Sequence, residues 1–111
     1  MTGPKAVRIK DDGSRQRLLE GRPATSGMKS GYVKLEEGGS VGRHSTKERE
    51  EALVIMEGEA RVCCEGSEPL MAKAESVVYI PPDTPHDVIN AGRGPLRYVY
   101  VVSPAGERLS G

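Results

Sequence analysis

The chain has 111 residues, enough for one domain with a single packed core and too few for two. Lys plus Arg and Asp plus Glu both number 16, so the formal charge is zero and no long-range field draws in nucleic acid or an anionic membrane. Phe and Trp are absent and four Tyr supply all the aromatics, which leaves few stacking platforms for bases and sets a nucleic-acid role aside.

The N-terminal stretch, MTGPKAVRIKDDGSR, has no apolar run of signal-peptide length, and no segment approaches the ~18 apolar residues that cross a bilayer. A cytoplasmic protein without a membrane partner is the expectation. Strand-length runs of β-branched and apolar residues then follow at 6–10, 17–19, 28–36, 51–56, 60–64, 76–80, 86–89 and 96–102. Turn signals separate them: Asp12-Gly13, Gly21-Arg22-Pro23, Gly38-Gly39, Glu57-Gly58, Glu65-Gly66, Pro81-Pro82-Asp83 and Gly92-Arg93-Gly94-Pro95. Seven or eight short strands at this spacing predict an all-β sandwich or barrel.

One segment competes. Ser45 or Thr46 could cap a helix through 45–53, with acids in its first turn. The apolar run 52–56 is cut by Glu57-Gly58 before a second helical turn, so 46–50 reads as a charged loop or single turn entering a strand. Cys63 and Cys64 are adjacent, which excludes an ordinary intrachain disulfide. On a strand they point to opposite faces, and two reduced thiols without a redox or metal role are expected. Residues 1–4 and 106–111 are expected to fray.

The chemistry-bearing residues fall in two blocks. Gly38, His44, Thr46, Glu51 and Gly58 give G-x5-H-x-T-x4-E-x6-G, and Glu75, Pro81, Asp83, His86 and Asn90 give E-x5-P-x-D-x2-H-x3-N. The chain has only these two histidines, and two histidines with one carboxylate hold a divalent metal on one face while leaving other positions open. Alternation along 51–56 puts Glu51, Leu53 and Ile55 on one face and Ala52, Val54 and Met56 on the other. A Glu51 facing inward is a carboxylate among apolar side chains, costly by several kcal/mol unless partnered. A metal held with His44 and His86 would partner it, and so would an arginine such as Arg61 or Arg97. Taken singly, each residue has a plainer reading: His44 closing a strand end, His86 an exposed turn histidine, Glu51 a surface charge with Glu50 inward, and Asn90 a turn former.

Over 33–102 the two blocks together resemble the cupin superfamily, whose motifs are G-x5-H-x-H-x3-4-E-x6-G and G-x5-P-x-G-x2-H-x3-N. The resemblance implies one domain over 1–111, folded as a double-stranded β-helix (jelly-roll) barrel with its ligand pocket inside. It implies His44, Glu51 and His86 as metal ligands, with Thr46 at the position of the missing fourth. The ion would be divalent (Fe, Mn, Zn, Ni or Cu). Glu75 and Asp83 replace motif glycines, a departure that touches turns rather than chemistry. Two functions fit: a metal-dependent enzyme of dioxygenase, isomerase or lyase type on a small organic molecule, or a non-catalytic small-ligand binding or sensing module with a degenerate or structural metal site. No general base stands out beyond the ligands. Cupin-like chains of this size are commonly homodimers, and an edge strand around 6–10 is the segment expected to pair across a two-fold axis.

Overall fold

The alternating sequence is realised as eight strands and no helix among residues 3–106, those described by a computed structural model. They are β1 (Arg15–Glu20), β2 (Lys29–Leu35), β3 (Arg49–Glu57), β4 (Glu59–Cys64), β5 (Leu70–Lys73), β6 (Ser76–Ile80), β7 (His86–Asn90) and β8 (Leu96–Pro104). Two antiparallel sheets result, one ordered β1-β2-β8-β3-β6 and the other β5-β4-β7. The ends expected to fray, 1–4 and 106–111, lie largely outside the described residues.

Period-two alternation decides which side chains enter the core. In β3, Glu51, Leu53 and Ile55 are buried while Val54 and Met56 are exposed, the division expected from the sequence. Register carries that face across the larger sheet: Leu53 lies opposite Tyr100 and Val78, and Ile55 opposite Tyr98, which in turn lies opposite Val33. Val33, Leu53, Ile55, Val78, Ile80, Leu96 and Tyr98 from this sheet pack with Ala60, Val62, Ala72 and Val88 from the smaller one. Each large apolar side chain so buried stabilises the fold by about 1.5–3 kcal/mol.

Three local readings of the sequence are settled. Residues 45–48 form a turn rather than a helix: the Thr46 hydroxyl donates to the Arg49 carbonyl, and Arg49 N–H donates back to Thr46 O before β3 begins. Residues 6–10, expected as an edge strand, form none. This segment instead straps the outer face of the larger sheet through side chains, with Gln16 accepting from Lys10 N–H and donating to the Arg8 carbonyl. Just beyond it Asp11 meets Tyr32, Lys34 and Arg97. Conversely, β5 was not expected. It has four residues of which only Ala72 is buried, so it carries no alternation to detect.

Glu75 and Asp83, which stand where the motif has glycine, keep the left-handed backbone with φ of 69° and 54°. A side chain held there costs about 1–2 kcal/mol. Glu75 is exposed, so Glu75→Gly is expected to raise stability by roughly 0.5–1 kcal/mol once the extra entropy of unfolded glycine is subtracted. Urea denaturation checks this, and a loss of stability would show that the Glu75 side chain contributes more than it strains.

Candidate metal centre

Three elements bring the donors together. Glu51 is an inward position of β3. His86 opens β7 directly after Pro85, opposite Cys64 of β4. His44 belongs to no strand, but residues 40–44 run beside β7, bridged at Ser40–Ile89 and His44–His86. His44 N–H donates to His86 O at 2.9 Å and His86 N–H returns the bond at 2.8 Å. The two imidazoles, far apart in sequence, thus lie with ring centroids 4.4 Å apart.

Both rings are oriented from behind. His44 Nδ1 lies 3.0 Å from the Gly42 carbonyl and His86 Nδ1 lies 2.8 Å from the Thr84 carbonyl. A nitrogen facing a carbonyl carries the proton, so in the neutral ring each Nε2 presents its lone pair, the tautomer a metal-ligating histidine uses. One donor atom from each of His44, Glu51 and His86 falls within 4.8 Å of the others. Glu51 is 5% exposed and His86 0%, while His44 is exposed, so the cluster runs from the core to the pocket mouth.

The decisive feature is an unmet demand. Glu51 Oε1 and His86 Nε2 are 2.8 Å apart, yet neither makes a hydrogen bond of acceptable geometry with any described residue. Buried polar atoms are nearly always satisfied. Two that contact without aligning, with a third lone pair nearby, fit a shared divalent cation. The arginines that could have neutralised Glu51 are elsewhere: Arg61 is exposed on the outer face of β4, and Arg97 binds Tyr32, Asp11 and Glu57. Glu50 faces outward and accepts from the Tyr79 hydroxyl.

Burial by itself disfavours a charged His86, but Glu51 and the Thr84 carbonyl outweigh it and lift the ring above its ordinary value of 6.5. The folded protein therefore holds that proton more tightly than the unfolded chain. In the metal-free protein the resulting stabilisation is complete below pH 6.5 and is lost as pH rises through the folded value. Metal binding requires the deprotonated ring, so metal affinity should follow the opposite course, weakening on acidification from above pH 6.5. Melting curves with and without chelator across pH 5–9 are expected to slope in opposite directions.

Other expected residues fall into place around the cluster. Thr46 lines the same cavity, with its hydroxyl proton donated to Arg49 O. Asn90 is a turn former: its amide donates to Leu35 O and Gly94 O, and its oxygen accepts from Gly92 N–H. Cys63 and Cys64 are both free, Cys63 beside outward Asp87 and Cys64 beside inward His86. Burial, then the neighbouring Cys63 and Glu51, pushes the Cys64 thiol up, keeping it protonated.

The cluster opens into a cavity of about 330 Å³. Val33, Val41, Leu53, Val88 and Val102 form apolar walls, with Tyr98 and Tyr100 from β8 and Arg15, Arg17, Lys29 and Arg49 on the remaining side. The sequence offered Tyr98 only as one of four tyrosines whose hydroxyl could orient a ligand, and it did not single out the β1 arginines. Their signal was the i, i+2 spacing of Arg15 and Arg17, unreadable until the register of β1 is known. Burial pushes the Tyr98 hydroxyl well up, and the Glu51 charge adds to it, so that hydroxyl stays a donor. A larger groove, about 1000 Å³, lies at the end of the sheet along 46–49 and 104–106, but among the described residues no His, Cys, Asp and Glu cluster converges on it.

No curated protein matches the chain. Among solved structures, a cupin protein from Bacteroides fragilis superposes with a TM-score of 0.80 at 23% identity, covering 100% of this chain and 92% of that one. An RmlC-like cupin family protein with a double-stranded β-helix fold, from Methanocaldococcus jannaschii, gives 0.72 at 23%, covering 91% of each. The Cnp3 cupin domain of Schizosaccharomyces pombe gives 0.73 at 18%; 81% of this chain is covered, and it spans only 63% of that domain's length. At these identities the likeness is one of fold. The family model for the cupin domain matches residues 31–102, a span holding both glycine- and proline-bounded blocks and all three clustered donors, and the chain accordingly belongs to the cupin family.

Proposed function

We propose that this protein binds a divalent first-row metal through His44, Glu51 and His86 and uses it to hold a small organic molecule in the cavity between the sheets. The observation that carries this reading is the buried pair of unsatisfied donor atoms, Glu51 Oε1 and His86 Nε2, with His44 closing the group. When bound, such an ion supplies Lewis-acid polarisation of a ligand oxygen, or redox chemistry at open positions. The chain's own residues do the rest. The Gly42 and Thr84 carbonyls fix the rings, valines supply apolar walls, and the Tyr98 hydroxyl, kept protonated by burial, is a donor among the lining residues. An enzyme of dioxygenase, isomerase or lyase type fits that arrangement.

A second reading, a binding or sensing module, draws on Thr46. Where the family motif has a fourth ligand this chain has a hydroxyl already committed to a turn. Elemental analysis of untagged protein tests the metal. About one equivalent of a single metal per chain is expected, and trace amounts of mixed metals overturn both readings. Incubating the loaded protein with small acids then separates them: consumption detected by mass spectrometry marks an enzyme, and stabilisation without consumption marks a binder.

The proposal includes one domain over 1–111, a closed jelly-roll barrel, a cytoplasmic setting and a homodimer. Support for the dimer is the outward face of β3 and β6, where Val54, Met56, Val77 and Tyr79 are exposed side by side. Light scattering should give about twice the 11.9 kDa chain mass, and a mass near 11.9 kDa contradicts the dimer.

A further inference from the structure

The cavity that holds the donor cluster is also lined by four cations, Arg15, Arg17, Lys29 and Arg49. Register places Arg15 opposite Val33 and Arg17 opposite Gly31, and Lys29 opposite Val102. Val102 in turn lies opposite Glu51, and Arg49 keeps the inward parity of Glu51. All four cations therefore stand on the inward face, where alternation otherwise places apolar residues, and all four line the cavity. Among the described residues the only acid lining the cavity is Glu51, itself set against His86. Among the described residues Arg15, Lys29 and Arg49 have no ion-pair partner, and Arg17 has only Glu20 at 3.6 Å on the exposed edge.

Nothing in the fold requires this. Arg15 and Arg17 sit on an edge strand, where apolar residues would close the sheet face against Tyr98 and Tyr100. Gly31 takes part as well: a Cβ there would lie 2.5 Å from the Tyr100 hydroxyl oxygen, so its absence lets that ring lie across β2 beside Arg17.

We infer that the cavity takes a small organic anion bearing a carboxylate, with its acid group held by Arg15 and Arg17 of β1 and assisted by Lys29. Its apolar body would lie against Val33, Leu53 and Val88. Two guanidiniums at i, i+2 suit a planar carboxylate, which arginine binds through paired N–H donors. The cavity, about 330 Å³, is at the small end of ligand sites, which limits the occupant to a compact acid. This inference rests on the metal-site reading for the ligand's opposite end, but the arginine contact stands without it.

The test is calorimetric titration of the untagged chain with succinate, with its neutral diamide and with inorganic phosphate, after measuring metal content on the same sample. Succinate is expected to bind and the diamide not. Arg15→Gln combined with Arg17→Gln should weaken succinate roughly tenfold or more, as loss of charge-assisted contacts does, with metal content and melting temperature unchanged. Chelated protein and His44→Ala should retain a weaker, still arginine-dependent affinity. That arm separates the two ideas: a chain that carries no metal sinks the metal reading, while arginine-dependent succinate binding upholds this one. Failure of succinate to bind, equal binding of the diamide, undiminished binding by the double variant, or phosphate binding in place of succinate each overturns it.

Discussion

His86→Ala protein, purified without a histidine tag, is expected to carry less than a tenth of the wild-type metal and to melt far lower. Loss of an outer partner to a ligand costs about 10–100-fold in metal affinity, and loss of the ligand itself should exceed that. The fold suffers as well, because His86 is 0% exposed and its removal leaves the buried Glu51 carboxylate without a partner. Breaking such a pair costs about 3–5 kcal/mol. At roughly 4–8 °C per kcal/mol, the melt should fall by at least 12 °C. His44→Ala separates the two effects. His44 is exposed, so its loss should empty the site while shifting the stability of the metal-free fold by only about 0.5 kcal/mol. Elemental analysis and chelated melting curves read both. Equal trace metal in wild type and both variants would sink the assignment.

Gly58→Ala should be the most damaging single-methyl change among the glycines of the two motif blocks. Gly58 turns β3 into β4 with φ of 89°, where a side chain costs about 1–2 kcal/mol. A Cβ there would also lie 2.5 Å from the Pro95 carbonyl oxygen and 3.0 Å from Leu96 Cα, both backbone atoms that cannot swing aside. Overpacking of this kind adds about 1–3 kcal/mol, giving a total of roughly 2–5 kcal/mol. Gly38→Ala is the control: its φ is 79°, but its Cβ would meet nothing within 4 Å, so only the conformational cost applies. Urea denaturation should show the first change costing at least about twice the second. Equal costs would mean that the approach of Pro95 is relieved by a backbone shift.

Much of the site was readable because its determinants are local. Glu51 faces inward because a strand alternates and Leu53 and Ile55 need the core, and that rule places Glu50 outward without reference to any partner strand. The glycine conformations also survive without glycine, since Glu75 and Asp83 hold positive φ where the chain must turn. The strand expected at 6–10 failed because β-branched composition does not supply a pairing partner, and Gln16 captures that segment through side-chain bonds instead. β5 escaped notice because its Leu70 and Met71 are exposed and its pairing to β4 is decided by the hairpin.

The sequence by itself determined the donor types, their spacing and the face each strand turns inward, since side-chain alternation and turn chemistry act over a few residues. Only the tertiary structure decided that residues 40–44 lie along β7, bringing the two imidazoles within reach of one carboxylate. It likewise decided that Arg15, Arg17 and Lys29 share that carboxylate's cavity. Both depend on which distant strands pair and in what register, and a one-residue slip would send every one of those side chains to the opposite face.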